Sequence, residues 1–103
     1  MSGNSFIEGA VETWLRIAGT RLVQASKIAR SSDGQKGAIE IQLPEHTALV
    51  ELWEHARCLD TTLLVNGQQQ ARILSAGPCL DEGALLSRLQ ELRSALEPSP
   101  SAA

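Results

Sequence analysis

Asp60-Thr61-Thr62-Leu63-Leu64-Val65-Asn66-Gly67-Gln68-Gln69-Gln70-Ala71-Arg72-Ile73-Leu74-Ser75-Ala76 is the stretch whose reading decides the fold. An apolar run rich in β-branched residues, Thr61–Val65, meets Asn66-Gly67, and a second apolar run follows at Ala71–Ala76. Asn-Gly supplies the positive φ angles of a tight type I′ turn, so the stretch reads as a β-hairpin. A longer loop that takes in the three glutamines closes the same hairpin. Thr61–Val65 lacks alternation, as a central strand buried on both faces should. Gly77-Pro78 ends the second strand.

Working outward, Asp81 caps a last helix whose stripe is Leu85, Leu89, Leu92 and Leu96. On the other side, Ala38–Leu43 alternates, with Ile39, Ile41 and Leu43 against Glu40 and Gln42, which reads as a half-exposed edge strand. Pro44 stops it, and 45–57 reads as a helix with Leu49, Leu52, Trp53 and Ala56 on its buried stripe. Ser5 caps a long amphipathic helix over 6–30, where Ile7, Val11, Trp14, Ala18, Leu22, Ala25 and Ala29 recur at steps of three or four. Phe6, Leu15, Ile17, Val23 and Ile28 widen that stripe, and Gly19 marks a bend or a close contact. A polar loop, 31–37, ends it.

The expected fold class is α+β: a small three-stranded mixed sheet with three helices, in the order α-β-α-β-β-α. A strand–helix–strand unit crosses over right-handed, so 38–43 and 61–65 are expected to be parallel, with 61–65 in the middle. Residues 1–97 read as one domain and 98–103, Pro-Ser-Pro-Ser-Ala-Ala, as a disordered tail.

Composition sets bounds on function. The chain has 103 residues, 43% of them hydrophobic, which suits one modest globular core. Its net charge of −3 argues against a nucleic-acid partner, which would favour a basic patch. The charge is uneven: residues 1–37 carry five of the nine bases and three of the twelve acids. Two cysteines, Cys58 and Cys79, make no disulfide framework, and no apolar run approaches the roughly 20 residues that span a bilayer. With no leader pattern before residue 6, the expected location is the cytoplasm, with free thiols and no membrane partner.

No motif carries chemistry. Glu51 and His55, four apart on the expected second helix, share a face as two metal ligands would, but without a third ligand an exposed pair is the better reading. His46 starts the same helix and points elsewhere. His55 and Cys58 lack the surroundings of a thiol nucleophile, and Cys79 reads as loop packing. Gly34 and Gly37 precede a strand, the reverse of a phosphate loop. Gln68–Gln70 reads as a solvated turn. No catalytic residue, cofactor site or metal site is assigned. The broad stripe of the first helix is the exception: Ile7, Val11, Trp14, Leu15, Ala18 and Leu22 exceed what one small sheet face needs and are candidates for a homodimer interface.

Two families offer resemblances. Residues 35–96 resemble the second half of the type 2 peptidyl-tRNA hydrolases in the order strand, helix, strand, turn, strand, Gly-Pro, helix. Ile73-Leu74-Ser75-Ala76-Gly77-Pro78 is the nearest stretch, and the turn that carries that family's active-site Asp and Thr reads Asn66-Gly67-Gln68-Gln69 here. That resemblance implies a small hydrolase of an RNA-linked or ester substrate. The acidic balance, the amphipathic first helix and the ending of hairpin then helix are similar to small secretion chaperones, which are dimeric. The residues favour a non-catalytic protein-binding module, adaptor- or chaperone-like, homodimeric and able to take another protein. The alternatives are that hydrolase, or a small-ligand domain with its pocket between first helix and sheet.

Overall fold

A computed structural model describes residues 5–97. Ser5 opens α1 (Phe6–Ile17), its hydroxyl accepting the Glu8 N–H at 2.9 Å. Gly19, at φ +86°, breaks the helical path, and one further turn, α2 (Thr20–Gln24), follows. The chain then runs through β1 (Ser26–Arg30), β2 (Lys36–Gln42), β3 (His46–Trp53), β4 (Cys58–Val65) and β5 (Arg72–Ser75) before α3 (Glu82–Leu96). The five strands lie in chain order, each antiparallel to the next.

The α+β class holds, but the three-stranded mixed sheet does not: the sheet is five-stranded and antiparallel throughout. Two expected helices are partly or wholly strand. The helix expected over 6–30 ends at Ile17, and Ser26–Arg30 pairs with β2 in the register Ser26↔Ile41 to Arg30↔Gly37. The helix expected over 45–57 is β3, because Ala48, Val50 and Leu52 alternate inward while Leu49 and Glu51 point outward. With no helix between them, β2 and β3 join through a tight turn at Pro44-Glu45, closed by the Leu43 N–H donating to the His46 carbonyl at 2.8 Å. The parallel crossover disappears with that helix. β2 is therefore an interior strand rather than an edge. β4 alternates between buried and half-buried residues rather than being covered on both faces.

The hairpin of β4 and β5 is present, closed by the longer loop. Gly67 adopts φ +95°, and Asn66 is not among the residues at positive φ, so the turn is not type I′. Asn66 is instead a clamp. Its amide donates to the Leu43 and Pro44 carbonyls at 2.8 and 3.0 Å, and its side-chain oxygen accepts from Thr47 at 2.9 Å. The tail expected at 98–103 lies outside the described residues.

The core lies on one face of the sheet. Ile39, Ile41, Val50, Leu52, Leu59 and Leu63 meet Ile7, Val11 and Trp14 of α1 and Leu85, Leu89, Leu92 and Leu96 of α3. Trp14 is fully buried, and its indole N–H donates to Ser26 Oγ at 3.0 Å, tying α1 to β1. Gly37 lets α1 approach: a Cβ there would sit 2.8 Å from Ile7 Cγ2. Glu54, in the turn between β3 and β4, accepts the Phe6 and Ile7 N–H groups at 2.7 and 2.9 Å. The first-turn donors of α1, which no intrahelical carbonyl can satisfy, are thus taken by Glu54 and Ser5.

Candidate functional site

Both terminal helices pack into the single core on one face, so the opposite face of the sheet carries no element among the described residues. Strand alternation dictates its composition. Lys27 and Ala29 of β1, Ala38 and Glu40 of β2, Leu49 and Glu51 of β3, Asp60, Thr62 and Leu64 of β4, and Ile73 of β5 point outward. Register sets Lys27, Glu40, Leu49, Thr62 and Ile73 in one row and Ala29, Ala38, Glu51 and Asp60 in the next. Leu49 is 36% exposed and Ile73 70%, with Leu64 half-buried beside the Thr62 that separates them.

Charges of both signs lie on this face. Lys27, Lys36 and Glu40 lie on β1 and β2, while Glu51 and Asp60 are direct cross-strand partners on β3 and β4. Like charges directly opposite in a sheet are destabilising. Asp60 accepts one hydrogen bond, from the Gly77 N–H at 3.1 Å, while Glu51 forms no ion pair among the described residues. An antiparallel sheet face left to water is normally polar. Here Leu49 and Ile73 stand exposed on either side of Thr62, with Leu64 beside it.

A concavity of about 310 Å³ lies between α1 and the start of α3, lined by Phe6, Glu12, Arg16, Arg57, Glu82 and Leu86 among others. Arg57 holds φ +51°, a left-handed backbone that disfavours any side chain, and its guanidinium lies 5.2 Å from the centre of the Phe6 ring. Two acids and two bases meet in this groove, and its hydroxyls serve α1: Ser5 Oγ caps Glu8, and the Thr13 hydroxyl donates to the Gly9 carbonyl at 2.8 Å. On the outer rim of α1, the Arg30 guanidinium binds the Glu8 carboxylate through two nitrogens and holds its pKa below the usual carboxylate value. In the loop before β2, the Ser31 hydroxyl and the Gln35 N–H do the same for Asp33.

The residues singled out from sequence fall in different places. Ile7, Val11, Trp14, Ala18 and Leu22 are buried in the chain's own core, and Leu15 is 41% exposed. The space between first helix and sheet, the expected place for a ligand, is filled by the first three. Glu51 is on the bare sheet face and His55 is in the following turn, so the shared helical face that made them a possible ligand pair does not exist. Among the described residues no group of three His, Cys, Asp or Glu side chains is placed to hold a metal ion. His46 begins β3, with its Nδ1 buried and unpartnered. Cys58 is half-buried and Cys79 fully buried, both as free thiols, and the Cys79 sulfur accepts from Arg88 at 3.2 Å. Sequence reasoning missed the bare face, since it needs β1 and β3 to exist. No described helix is long and apolar enough to cross a membrane.

No protein-family model, curated protein or solved structure matches this chain.

Proposed function

We propose that the chain is a non-catalytic protein-binding module, adaptor- or chaperone-like and homodimeric, and that it binds through the bare face of its sheet. One observation carries this reading: Leu49 and Ile73 stand exposed on a sheet face that the chain's own helices leave uncovered. Grouped exposed apolar side chains rimmed by polar ones are the surface from which interaction sites are built. The element order behind the hydrolase resemblance required a helix where β3 lies, so that alternative loses its support. The features shared with secretion chaperones, an amphipathic first helix and a hairpin followed by a helix, are both present.

The test is capture of partners from native lysate by the tagged chain and by a Leu49→Lys/Ile73→Lys variant, followed by reconstitution with purified partner. The variant is expected to keep its circular dichroism spectrum and lose the partner. Retention of every partner by the folded variant overturns the assignment of this face.

A further inference from the structure

We infer that the groove between α1 and the start of α3 binds a short peptide by its two charged ends, the terminal carboxylate at Arg57 and the terminal ammonium at Glu12. This site is separate from the bare sheet face and goes beyond the protein-binding reading above.

The first observation is a pair of glycines. Gly9 of α1 and Gly83, in the first turn of α3, both line this groove. Neither adopts a positive φ, and in a helix glycine is less stable than alanine. Packing does not require them: a Cβ at Gly9 would meet nothing within 4 Å, and one at Gly83 would meet only the Asp81 carboxylate, at 3.4 Å. Gly37 is the contrast, since a Cβ there would collide with Ile7. The stability lost at Gly9 and Gly83 therefore serves no contact within the described chain. What the missing side chains leave is open space on two walls of a groove of about 310 Å³, at the lower end of the range for small-ligand sites. Glycine is also where a ligand's main chain can approach most closely.

The second observation is Arg57. Among the described residues it alone, glycines aside, adopts a positive φ, +51°. Its backbone is held there on both sides: the N–H donates to the Glu54 carbonyl at 3.3 Å, and the carbonyl accepts the Cys79 N–H at 2.8 Å. The guanidinium lies over the Phe6 ring, at the end of the groove where α1 begins. Backbone strain of this kind collects at ligand sites. A planar guanidinium set against a ring offers a carboxylate two parallel donors.

The third observation is unpaired charge. Glu12, Arg16, Arg57 and Glu82 all line the groove, yet none forms an ion pair among the described residues, although Glu12 and Arg16 stand four apart on α1. A groove that holds both signs unpaired suits a ligand that carries both. Spacing sets the length of that ligand. Phe6, under Arg57, and Glu12 are separated by roughly 9 Å along the helix at the α-helical rise. A free amino acid keeps both charges on one carbon and cannot span that distance. Three extended residues reach about 10 Å. Phe6, Leu85 and Leu86 supply an apolar wall for the middle side chain. Arg16 lies one turn beyond Glu12, past the end of such a ligand.

Isothermal titration calorimetry of the full chain tests the inference, with the tripeptide Ala-Leu-Ala as the probe. Saturable binding to one site is expected. The amino-acetylated form, the carboxyl-amidated form and free leucine should each bind at least about tenfold more weakly. Arg57→Gln and Glu12→Gln should weaken binding of the unblocked peptide to the same degree, and Arg16→Gln should leave it unchanged. Gly9→Ala should move stability and binding in opposite directions. The free chain should melt at a higher temperature, because nothing obstructs the new Cβ and alanine suits a helix better. Binding should weaken at least about tenfold, because the methyl group occupies the groove. The Leu49→Lys/Ile73→Lys variant should bind the peptide normally, so the groove and the sheet face stand or fall separately. Unchanged circular dichroism certifies each fold. The inference is overturned if Ala-Leu-Ala, Ala-Phe-Ala and Ala-Lys-Ala all show no saturable binding at millimolar concentration. It is equally overturned if the blocked forms bind as well as the free peptide, or if Gly9→Ala is more stable and binds equally well.

Discussion

The two faces of the sheet are written in alternate residues of the same strands, and they differ in almost every respect that matters physically. Under α1 and α3 the rows read Ile39–Val50–Thr61 and Ile41–Ala48–Leu63, all buried. On the other side the matching rows read Lys27–Glu40–Leu49–Thr62–Ile73 and Ala29–Ala38–Glu51–Asp60. One face is committed to folding. The other carries charges of both signs and a few apolar side chains that contribute little to holding the chain together. The contrast teaches where mutations should be felt: on the covered face in stability, on the bare face in association.

The strongest way to break the contrast is Trp14→Ala. Removing a fully buried indole loses its transfer energy and leaves a cavity, an effect of about 3–5 kcal/mol. Urea denaturation of a dilute sample should show that loss, while Leu49→Ala under the same conditions should stay within about 0.5 kcal/mol of the unmodified chain. Equal losses would mean that the bare face is itself part of the folding core.

Next in size is Gly37→Ala. Alanine in place of a strand glycine ordinarily stabilises, but here its Cβ would stand 2.8 Å from Ile7 Cγ2, an atom fixed close to the helix backbone. α1 must then shift off the sheet, and a loss of about 1–3 kcal/mol is expected, as for other overpacked cores. A measured gain would show that α1 sits on the sheet more loosely than its burial indicates.

Those strands explain how far the sequence was legible. β2 and α3 could be read because their patterns admit one period: Ile39, Ile41 and Leu43 alternate, while Leu85, Leu89, Leu92 and Leu96 recur at helical spacing; β4 and β5 could be read as a hairpin from the apolar runs flanking Asn66-Gly67. β3 could not, because Leu49, Leu52, Trp53 and Ala56 fit a helical stripe while Ala48, Val50 and Leu52 fit a strand. Good helix formers such as Ala48, Leu49, Glu51 and Leu52 tipped the balance locally. Tertiary pairing to β2 and β4 on both sides overrode that propensity. The turn signal Leu43-Pro44-Glu45-His46 was the usable clue, since proline suits the second position of a tight turn. β1 was hidden in the same way, its Ile28 and Ala29, with Ala25 just before them, continuing the helical count of the preceding residues. The bare face follows only from all five strands together, so neither its pattern of charge nor its exposed Leu49 and Ile73 was visible residue by residue.

A third prediction concerns what holds the covering helix in place. Glu54→Ala removes the acceptor of two first-turn N–H groups of α1, and a loss of about 1–2 kcal/mol is expected, comparable to removal of a strong helix cap. Hydrogen exchange should show the effect concentrated at Phe6 and Ile7. Exchange unchanged at those two amides would mean that Ser5 alone secures the start of the helix.

The smallest expected effect is at the rim where the two faces meet. Arg30, on edge strand β1, binds Glu8 of α1 through both Nε and Nη2. That hydrogen bonding, aided by the charge of Arg30, lowers the Glu8 pKa from its usual 4.5, against a small opposing effect of burial. The folded carboxyl therefore binds its proton less readily than the unfolded one. The pair's contribution is fully present above 4.5 and fades as pH falls through the lowered folded value, because stability rises with pH wherever the unfolded state holds more protons. Both side chains are about half exposed to water, so screening keeps the contribution small. Glu8→Gln should accordingly flatten a small part of the acid limb of stability and leave the neutral-pH value almost unchanged. Guanidinium denaturation is unsuitable, since its own ions screen the pair; urea titrations at pH values on either side of 4.5 make the measurement. An acid limb identical in Glu8→Gln and the unmodified chain would show that the contact contributes nothing. The packing of Trp14 and Ile7, rather than the charges at its rim, would then be what secures α1 to the sheet.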